Sequence, residues 1–272
     1  MTDAAGLYDA RYRDPAQAVP EEWNEVLQTM LGHHSVRSFL PTPVPESALQ
    51  AAIAAASSAP TSSNLQTWSV IAVQDAGRRD RLRALGGGQR FITDAPLLLM
   101  WIADLSRLHA LAEERQATVD GINYLEATFV AIIDVALAAQ NALVALESMG
   151  LGTVYIGGMR NKPEAVAAEL GLPKRAFAVF GMSVGWPDPA VTNAVKPRLP
   201  QSAVLHRETY DTAAQLPAVA EYDPRMGAFQ TEQGMAPEVW TQRVINRVRD
   251  AGALNGRDRM RAALGALGFE LR

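Results

Sequence analysis

The sequence predicts a layered α/β or α+β fold with helices on both faces of one sheet, and three observations support this. Helical segments alternate with four short apolar segments across residues 20–186. The second apolar segment, 96–103, lacks polar alternation, which is typical of a strand buried on both faces. The helix predicted over 126–149 is apolar on nearly every side, so a central position or a partner subunit must cover it.

Helices and strands alternate from the first half of the chain onwards. Apolar residues at three- and four-residue intervals predict a helix from residue 21 that ends at Gly32. A proline-rich turn opens a second helix over 45–59, and a polar loop then leads into a first strand over 68–73. A surface helix over 78–85 precedes the second strand.

The second half continues this order and ends in a less regular tail. After the long helix we expect a strand over 153–156, a short helix over 163–170 and a fourth strand over 176–185. Residues 187–209 contain four prolines and little periodicity, which predicts a connecting arm. The remaining tail shows one periodic helix, over 237–249.

Composition excludes several classes of function. With 25 basic and 29 acidic side chains and a net charge of -4, the protein lacks the basic surface that a nucleic-acid partner requires. The chain has no cysteine, which excludes disulfides, thiolate nucleophiles and Fe–S clusters. Its histidines show no metal-ligand spacing, so we predict no metal site. They are His33, His34, His109 and His206.

The sequence also predicts a cytoplasmic protein without a membrane span. Residues 1–17 mix charged and small side chains and lack the apolar core of a secretory signal. The most apolar stretch, 126–149, is interrupted by Asp134, Gln140 and Asn141, which would be costly at the centre of a bilayer.

Three polar segments follow apolar elements and are candidates for binding an anion or a flat cofactor. The first offers ring N–H groups, a hydroxyl and a guanidinium fork from His33, His34, Ser35 and Arg37. In the second, prolines hold Lys196 and Arg198 on a stiff backbone, and in the third a strand ends at Gly157 and Gly158. Taken singly, the first two segments are more typical of an ordinary surface turn, and many glycine pairs like the third are only turns.

Taken together they carry a family pattern. The text HHSVRSF, GGGQ, ESMGLGTVYIGGMRN, FGMSVGWPDP and KPRLPQSAVLHRETY, spread over about residues 25–210, resembles the FMN-dependent nitroreductase superfamily. The resemblance is to its NADPH-dependent, oxygen-insensitive nitroreductases and flavin reductases. It implies an α+β, three-layer α/β/α fold with a mixed central sheet, and an intertwined homodimer with FMN at the subunit interface. It also implies an FMN-binding domain over 1–210 and a C-terminal extension over 211–272 that shapes the substrate pocket.

The resemblance assigns roles in FMN binding to particular residues. Phosphate, ribityl and pyrimidine contacts fall on His33, His34, Ser35, Arg37, Gln89, Lys196 and Arg198, with His34 where the family usually has arginine. A loop that reaches the flavin of the other subunit corresponds to Thr61, Ser62, Ser63, Asn64 and Gln66. One face of the flavin ring would lie against Tyr155, Ile156, Gly157 and Gly158.

The implied activity is a ping-pong hydride transfer from NAD(P)H through FMN to nitroaromatics, quinones or similar acceptors. FMN carries this chemistry, so no residue is predicted to act as a catalytic acid, base or nucleophile. NADPH-selective members carry arginines beyond Tyr210, where the stretch 221–230 here has only Arg225 and the next arginine is Arg243; this predicts only a mild preference for NADPH. Arg225 and Phe229 are predicted to contact substrate. A flavin reductase that supplies reduced flavin and a flavin-binding module without turnover are the alternatives.

Overall fold

The computed structural model describes residues 4–14 and 18–272. Part of the N-terminal stretch used to predict a cytoplasmic protein, residues 1–3 and 15–17, therefore lies outside the described residues. The helices of the described chain are α1 (Ala4–Tyr12), α2 (Glu25–Gly32), α3 (Glu46–Ser57), α4 (Ala76–Leu85), α5 (Phe91–Asp94), α6 (Ser106–Arg115), α7 (Leu125–Ser148), α8 (Pro163–Leu170), α9 (Gln215–Glu232), α10 (Trp240–Arg247) and α11 (Met260–Ala266). The strands are β1 (Trp68–Val73), β2 (Leu97–Asp104), β3 (Gly152–Ile156) and β4 (Ala176–Gly185).

The strands form one sheet in the order β1-β2-β4-β3, at the positions that the sequence predicts. Neighbouring strands within this sheet all pair antiparallel, with Trp68 opposite Ala103 and Leu97 opposite Val184. The parallel component implied by a mixed sheet is limited, among the described residues, to an isolated bridge between Ser35 and Thr153. The segment around Ser35 forms no regular strand, so the mixed character does not extend to a full parallel ladder.

Helices cover both faces of the sheet, which gives the predicted three layers. Side chains of β2 alternate between two buried clusters: Leu97, Leu99 and Trp101 lie with α3 and α7, whereas Leu98 and Met100 lie with α4 and α8. Residues 97–103 are at most 1% exposed. The apolar run without alternation therefore reflects burial on both faces.

The chain divides into two compact units. The sheet unit comprises Ser35–Val191 and Asn255–Arg272, and the arm unit comprises Thr192–Leu254 with the described residues up to His34. The units interleave along the chain because the residues just after α1 contact α9 in the arm unit: Arg13 pairs with Glu232, and Asp14 pairs with Arg225. These boundaries differ from the predicted division at residue 210.

Helix α7 has one buried and one exposed flank. It is long and apolar enough to cross a membrane, yet 44% of its most apolar window is buried inside the protein. Asp134, in the middle of the helix, is 2% exposed and accepts hydrogen bonds, so this flank belongs to the core. The opposite flank exposes Leu125, Phe129, Ile133 and Leu137 by 38–56%. The prediction that protein covers both flanks of this helix is therefore met, within one chain, only for the flank that includes Asp134.

The tail contains more helix than the sequence indicates. Helix α9 spans 18 residues with Pro224 inside it, whereas the predicted helix over 237–249 is the shorter α10. Proline removes one backbone hydrogen bond from a helix. Burial of Tyr222, Met226 and Phe229, each at most 5% exposed, compensates for this loss. Because proline is unfavourable inside a helix, the sequence does not predict α9, although its apolar residues recur at helical spacing.

Candidate active site

The strand β3 ends in a turn whose backbone touches the end of α4. A Cβ atom on Gly158 would lie 2.0 Å from the carbonyl oxygen of Gly86, so only glycine fits at this position. A Cβ on Gly157 would meet its nearest atom, Nη2 of Arg160, at an ordinary 3.4 Å. The sequence predicts that both glycines leave room for a flat ligand. The structure assigns Gly158 to packing against Gly86 and leaves that space beside Gly157.

The residues before this turn point to different environments. Ile156 is 1% exposed and lies in the cluster with Leu98 and Met100, so its backbone rather than its side chain is available to a ligand. Tyr155 is 36% exposed and packs edge-on against Phe180, with ring centroids 5.0 Å apart. Desolvation raises the pKa of Tyr155 far above its ordinary value, and the negative charge of Glu147 adds to this effect. The phenol is therefore neutral across the physiological pH range.

The polar loop before β1 is anchored to the centre of α7. Oδ2 of Asp134 accepts hydrogen bonds from the Thr61 hydroxyl at 2.7 Å and from the amide and hydroxyl of Thr67 at 3.0 and 2.9 Å. Between these two threonines, Ser62, Ser63, Asn64, Leu65 and Gln66 are all exposed. Ser63, Asn64 and Gln66 adopt positive φ values of 48–55°.

Three left-handed residues within four positions of a fixed anchor are an unusual backbone arrangement, and such strain persists only where neighbouring contacts determine it. Asp134 fixes both ends of the loop, because a buried carboxylate with three donors is costly to displace. Within the loop, the Gln66 amide donates to the Thr61 hydroxyl at 2.9 Å. The sequence analysis noted Asp134 only as an interruption of an apolar helix. A lone carboxylate on such a helix is nevertheless the signal that could have identified it as a loop anchor.

The segment around His33 divides between the two units. In the arm unit, the His34 ring Nδ1 lies 3.0 Å from the carbonyl oxygen of Gly32, which fits a ring protonated at Nδ1. In the sheet unit, Val36 N donates to the carbonyl of Thr153 at 2.9 Å and fixes the segment beside β3. Arg37 is exposed, and its Cζ lies 6.0 Å from the ring centroid of Phe91. Gln89 is likewise exposed, in the turn after α4.

The segment with Lys196 and Arg198 is held by its backbone. Nη1 of Arg11 donates to the carbonyl of Lys196 at 2.9 Å, and the amide of Arg198 donates to the carbonyl of Arg11 at 2.8 Å. The Tyr222 hydroxyl donates to the carbonyl of Pro197 at 2.8 Å. Pro197 is buried, whereas both Lys196 and Arg198 are exposed. The two cations therefore extend from a fixed backbone.

A cavity of about 490 Å³ opens beside these cations in the arm unit. Its size falls in the ordinary range for small-molecule sites, about 300–1,000 Å³. The wall combines cationic and aromatic side chains with one carboxylate. Its principal members are Tyr12, Lys196, Arg198, Tyr222, Glu238, Trp240 and Arg243.

Two predicted substrate contacts do not line this cavity. The guanidinium of Arg225 pairs with Asp14 and Glu221, each at 3.1 Å. Phe229 is 3% exposed and packs with Tyr222 and Met226. Their position in the tail predicts a contact with substrate, but in the structure both residues contact other residues of the arm unit instead.

The predicted cofactor residues divide between the two units. The sheet unit carries Ser35, Arg37, Thr61, Ser62, Ser63, Asn64, Gln66, Gln89, Tyr155, Ile156, Gly157 and Gly158. The arm unit carries His33, His34, Lys196 and Arg198. Over the described residues, no group of three or more acidic or histidine side chains is placed to hold a metal ion.

Family models match residues 30–186 and 196–272, which leaves α1 and most of α2 outside the matched residues. Residues 30–85 and 83–186 match the model of the Nitroreductase family, and residues 196–272 match that of the Nitroreductase family C-terminal domain. The chain belongs to the nitroreductase family. The resemblance inferred from the motifs is thereby confirmed.

Relatives of this nitroreductase-family chain include enzymes of named activity. It is 38% identical over 227 residues to the FMN reductase [NAD(P)H] of Bacillus subtilis, covering 82% of this chain and 90% of that protein. The structure of a hypothetical oxidoreductase from Bacillus subtilis superposes with a TM-score of 0.87 at 34% identity, covering 92% of this chain and 100% of that one. The NADPH:FMN oxidoreductase of Vibrio harveyi complexed with NAD+ gives a TM-score of 0.80 at 33% identity, with the same coverage.

Proposed function

We propose that the protein is an FMN-dependent NAD(P)H oxidoreductase that reduces nitroaromatics, quinones or similar electron-poor acceptors. Besides family membership, the observation that carries this proposal is the pair of exposed cations, Lys196 and Arg198, on a backbone held at three consecutive residues. Such a pair suits the doubly charged phosphate of FMN, because charge-assisted hydrogen bonds are about twice as strong as neutral ones.

The residues present fit FMN in both units. In the arm unit, the cavity beside Lys196 and Arg198 has the size and the positive charge for a phosphate-bearing ligand. In the sheet unit, Gly157 offers a backbone surface without a side chain, next to the exposed ring of Tyr155. We assign the phosphate end of the cofactor to the residues of the arm unit.

Bound FMN supplies the chemistry of accepting a hydride from NAD(P)H and passing it to the acceptor. The chain's own residues bind and orient. Lys196 and Arg198 neutralise the phosphate. Tyr155 is neutral at physiological pH, as an ordinary tyrosine is, and its raised pKa extends this neutrality to higher pH.

We further propose a homodimer in the cytoplasm. Helix α7 exposes an apolar stripe rather than a single apolar side chain. A second copy of the chain would remove this stripe from water; its members are Leu125, Phe129, Ile133 and Leu137. An apolar groove of about 600 Å³ begins at the same end of α7 and includes Leu65 of the polar loop. The loop therefore adjoins the surface that a second copy would cover, as a loop serving the partner's flavin requires.

The nicotinamide donor is proposed to be NADPH or NADH with little discrimination. Selection for NADPH requires cations aimed at the 2′-phosphate. Arg225 is engaged by two carboxylates, and Arg243 at the cavity wall lies 3.3 Å from Glu238. The carboxylate partners reduce the positive charge that these arginines present.

Absorbance of the purified protein tests the proposal. We expect a yellow protein whose flavin band bleaches on anaerobic addition of NADPH or NADH and returns on addition of nitrofurazone or a quinone. Bleaching with turnover of added FMN alone would favour the flavin reductase, the activity in the names of two of the relatives. A yellow protein that neither donor bleaches would indicate a binding module, and a protein that takes up no FMN would refute the proposal.

A further inference from the structure

Helix α1 precedes the residues that match the family model, yet it contacts the segment that carries the two cations. Arg11 is 7% exposed, although arginine is rarely buried without partners. Its Nη2 donates to the carbonyls of Leu31 and His33, each at 2.8 Å, and its Nη1 donates to the carbonyl of Lys196. One buried guanidinium thus joins the end of α2 to the arm that follows β4.

The contacts of Arg11 lie on both sides of Pro197. On one side it donates to the Lys196 carbonyl, and on the other its own carbonyl accepts from the Arg198 amide. Tyr222 holds the carbonyl of Pro197 between them. Each of the three residues therefore has a fixed backbone group; that of Lys196 depends on the Arg11 side chain, and that of Arg198 on the Arg11 backbone carbonyl.

Helix α1 also reaches the cavity. Tyr12, the neighbour of Arg11 and the last residue of α1, lines the same wall as Lys196 and Arg198. The Tyr8 hydroxyl accepts a hydrogen bond from Gln201 at 2.8 Å, three residues beyond Arg198. Contacts on either side of Arg11 along the helix thus reinforce its contact with the arm.

We propose that α1 is an accessory part of the phosphate site and that Arg11 is its positioning residue. The inference rests on the proposed function, in which Lys196 and Arg198 bind the FMN phosphate. Arg11 does not touch the phosphate; it fixes the backbone from which the two cations extend. Binding then requires less ordering of the arm, which is how preorganisation increases affinity.

The test compares FMN with riboflavin, which has the same ring system without the phosphate. Apoprotein is titrated with each flavin, and the ratio of the two dissociation constants isolates the phosphate contribution. Because the arm must then be ordered when FMN binds, Arg11→Met should weaken FMN binding about tenfold and leave riboflavin binding within about twofold of wild type. Arg11→Lys, which keeps a donor, should fall between.

A matched control removes a different contact of the same N-terminal segment. Glu232→Gln breaks the ion pair with Arg13, at 2.6 Å, and should leave the FMN-to-riboflavin ratio unchanged. The inference would be overturned if the ratio of the two dissociation constants stayed at its wild-type value in both Arg11 variants, whether the binding of both flavins weakened equally or not at all. Should Arg11→Met fail to fold, the ratio for Arg11→Lys still decides.

Arg198→Ala separates this inference from the proposed function. Loss of phosphate selectivity in Arg198→Ala but not in the Arg11 variants would overturn the role of α1 alone. An unchanged ratio in Arg198→Ala would instead overturn the phosphate assignment on which both proposals rest.

Discussion

The two units of the molecule hold their functional segments in different ways. In the sheet unit, the turn at Gly158 is fixed by shape, because the Gly86 carbonyl occupies the place of a side chain. In the arm unit, the segment around Pro197 is fixed by hydrogen bonds from Arg11 and Tyr222 to its backbone. Close packing tolerates almost no added volume, whereas a hydrogen-bonded segment can shift when one donor is lost.

This difference follows from what each unit buries. The sheet unit has a large apolar core on both faces of β2, so its turns can be set by contact alone. The arm unit has a small buried cluster of Tyr222, Met226 and Phe229. A small core leaves more of the positioning to polar side chains. We expect substitutions to alter stability most in the sheet unit and cofactor affinity most in the arm unit.

Asp134 is an exception to this comparison, because it is a polar anchor within the sheet unit. Removing its carboxylate tests how much the polar loop depends on that anchor. Asp134→Ala leaves the donors of Thr61 and Thr67 without their acceptor and should lower the free energy of unfolding by about 3–5 kcal/mol. Urea denaturation measures the change. Asp134→Asn keeps an oxygen acceptor and serves as the control, with a clearly smaller loss. A loss below about 1 kcal/mol for the alanine variant would mean that the loop does not depend on this anchor.

Adding one methyl group to the turn after β3 tests the role of shape directly. Gly158→Ala places Cβ against the Gly86 carbonyl, so the backbone must move, and the loss of stability should reach about 3 kcal/mol. Gly157→Ala meets an ordinary contact and should cost less than about 1 kcal/mol. Thermal unfolding of the matched pair checks this. Equal melting temperatures would contradict the steric account.

Arg198→Ala examines the arm unit in the same way, through binding rather than folding. Because a charge-assisted hydrogen bond is lost, FMN affinity should fall by about 1.5–3 kcal/mol with little change in melting temperature. Titration of apoprotein followed by flavin fluorescence measures the affinity. Arg207→Ala removes an equal charge from an exposed position outside the cavity wall and should bind FMN as wild type does. Identical behaviour of the two variants would mean that only net charge matters.

The smallest expected effect is on the pH dependence of stability and involves Asp104 of the sheet unit. Burial opposes ionisation of Asp104, but hydrogen bonds from Ser106 and Ser69 and the charge of Arg107 outweigh it, so its pKa is lowered. A lowered pKa stabilises the fold above the ordinary aspartate pKa of about 4, and this contribution is lost as pH falls through the lowered value.

Asp104→Asn should therefore cost about 1 kcal/mol at pH 7, and the difference from wild type should shrink below about pH 4. Urea denaturation at a series of pH values follows both proteins. A difference that stays constant with pH would show that ionisation of Asp104 does not contribute.

Much of the sheet unit follows from local sequence. The strands and the helices α3, α4, α7 and α8 appear where periodicity places them, because burial on one or both faces leaves its pattern in consecutive residues. The pattern does not reveal which atom occupies the space at a glycine. Gly158 is an example: its partner, Gly86, is 72 residues away in the sequence.

The arm unit is less predictable for the same reason. Pro224 conceals helix α9, although its buried side chains recur at helical spacing. Arg11 contacts a carbonyl 185 residues away, and nothing in its local sequence marks it as a buried donor. Motifs identify the cationic side chains of a site, but the polar contacts that hold their backbone become visible only in three dimensions.

The exposed stripe on α7 has a consequence for handling the protein in solution. If a second copy covers Phe129 and Ile133 and contributes its loop to the flavin, then cofactor binding and subunit association are linked equilibria. Dilution toward the nanomolar range would then release flavin from a fully loaded sample, and excess FMN would draw separated subunits back together.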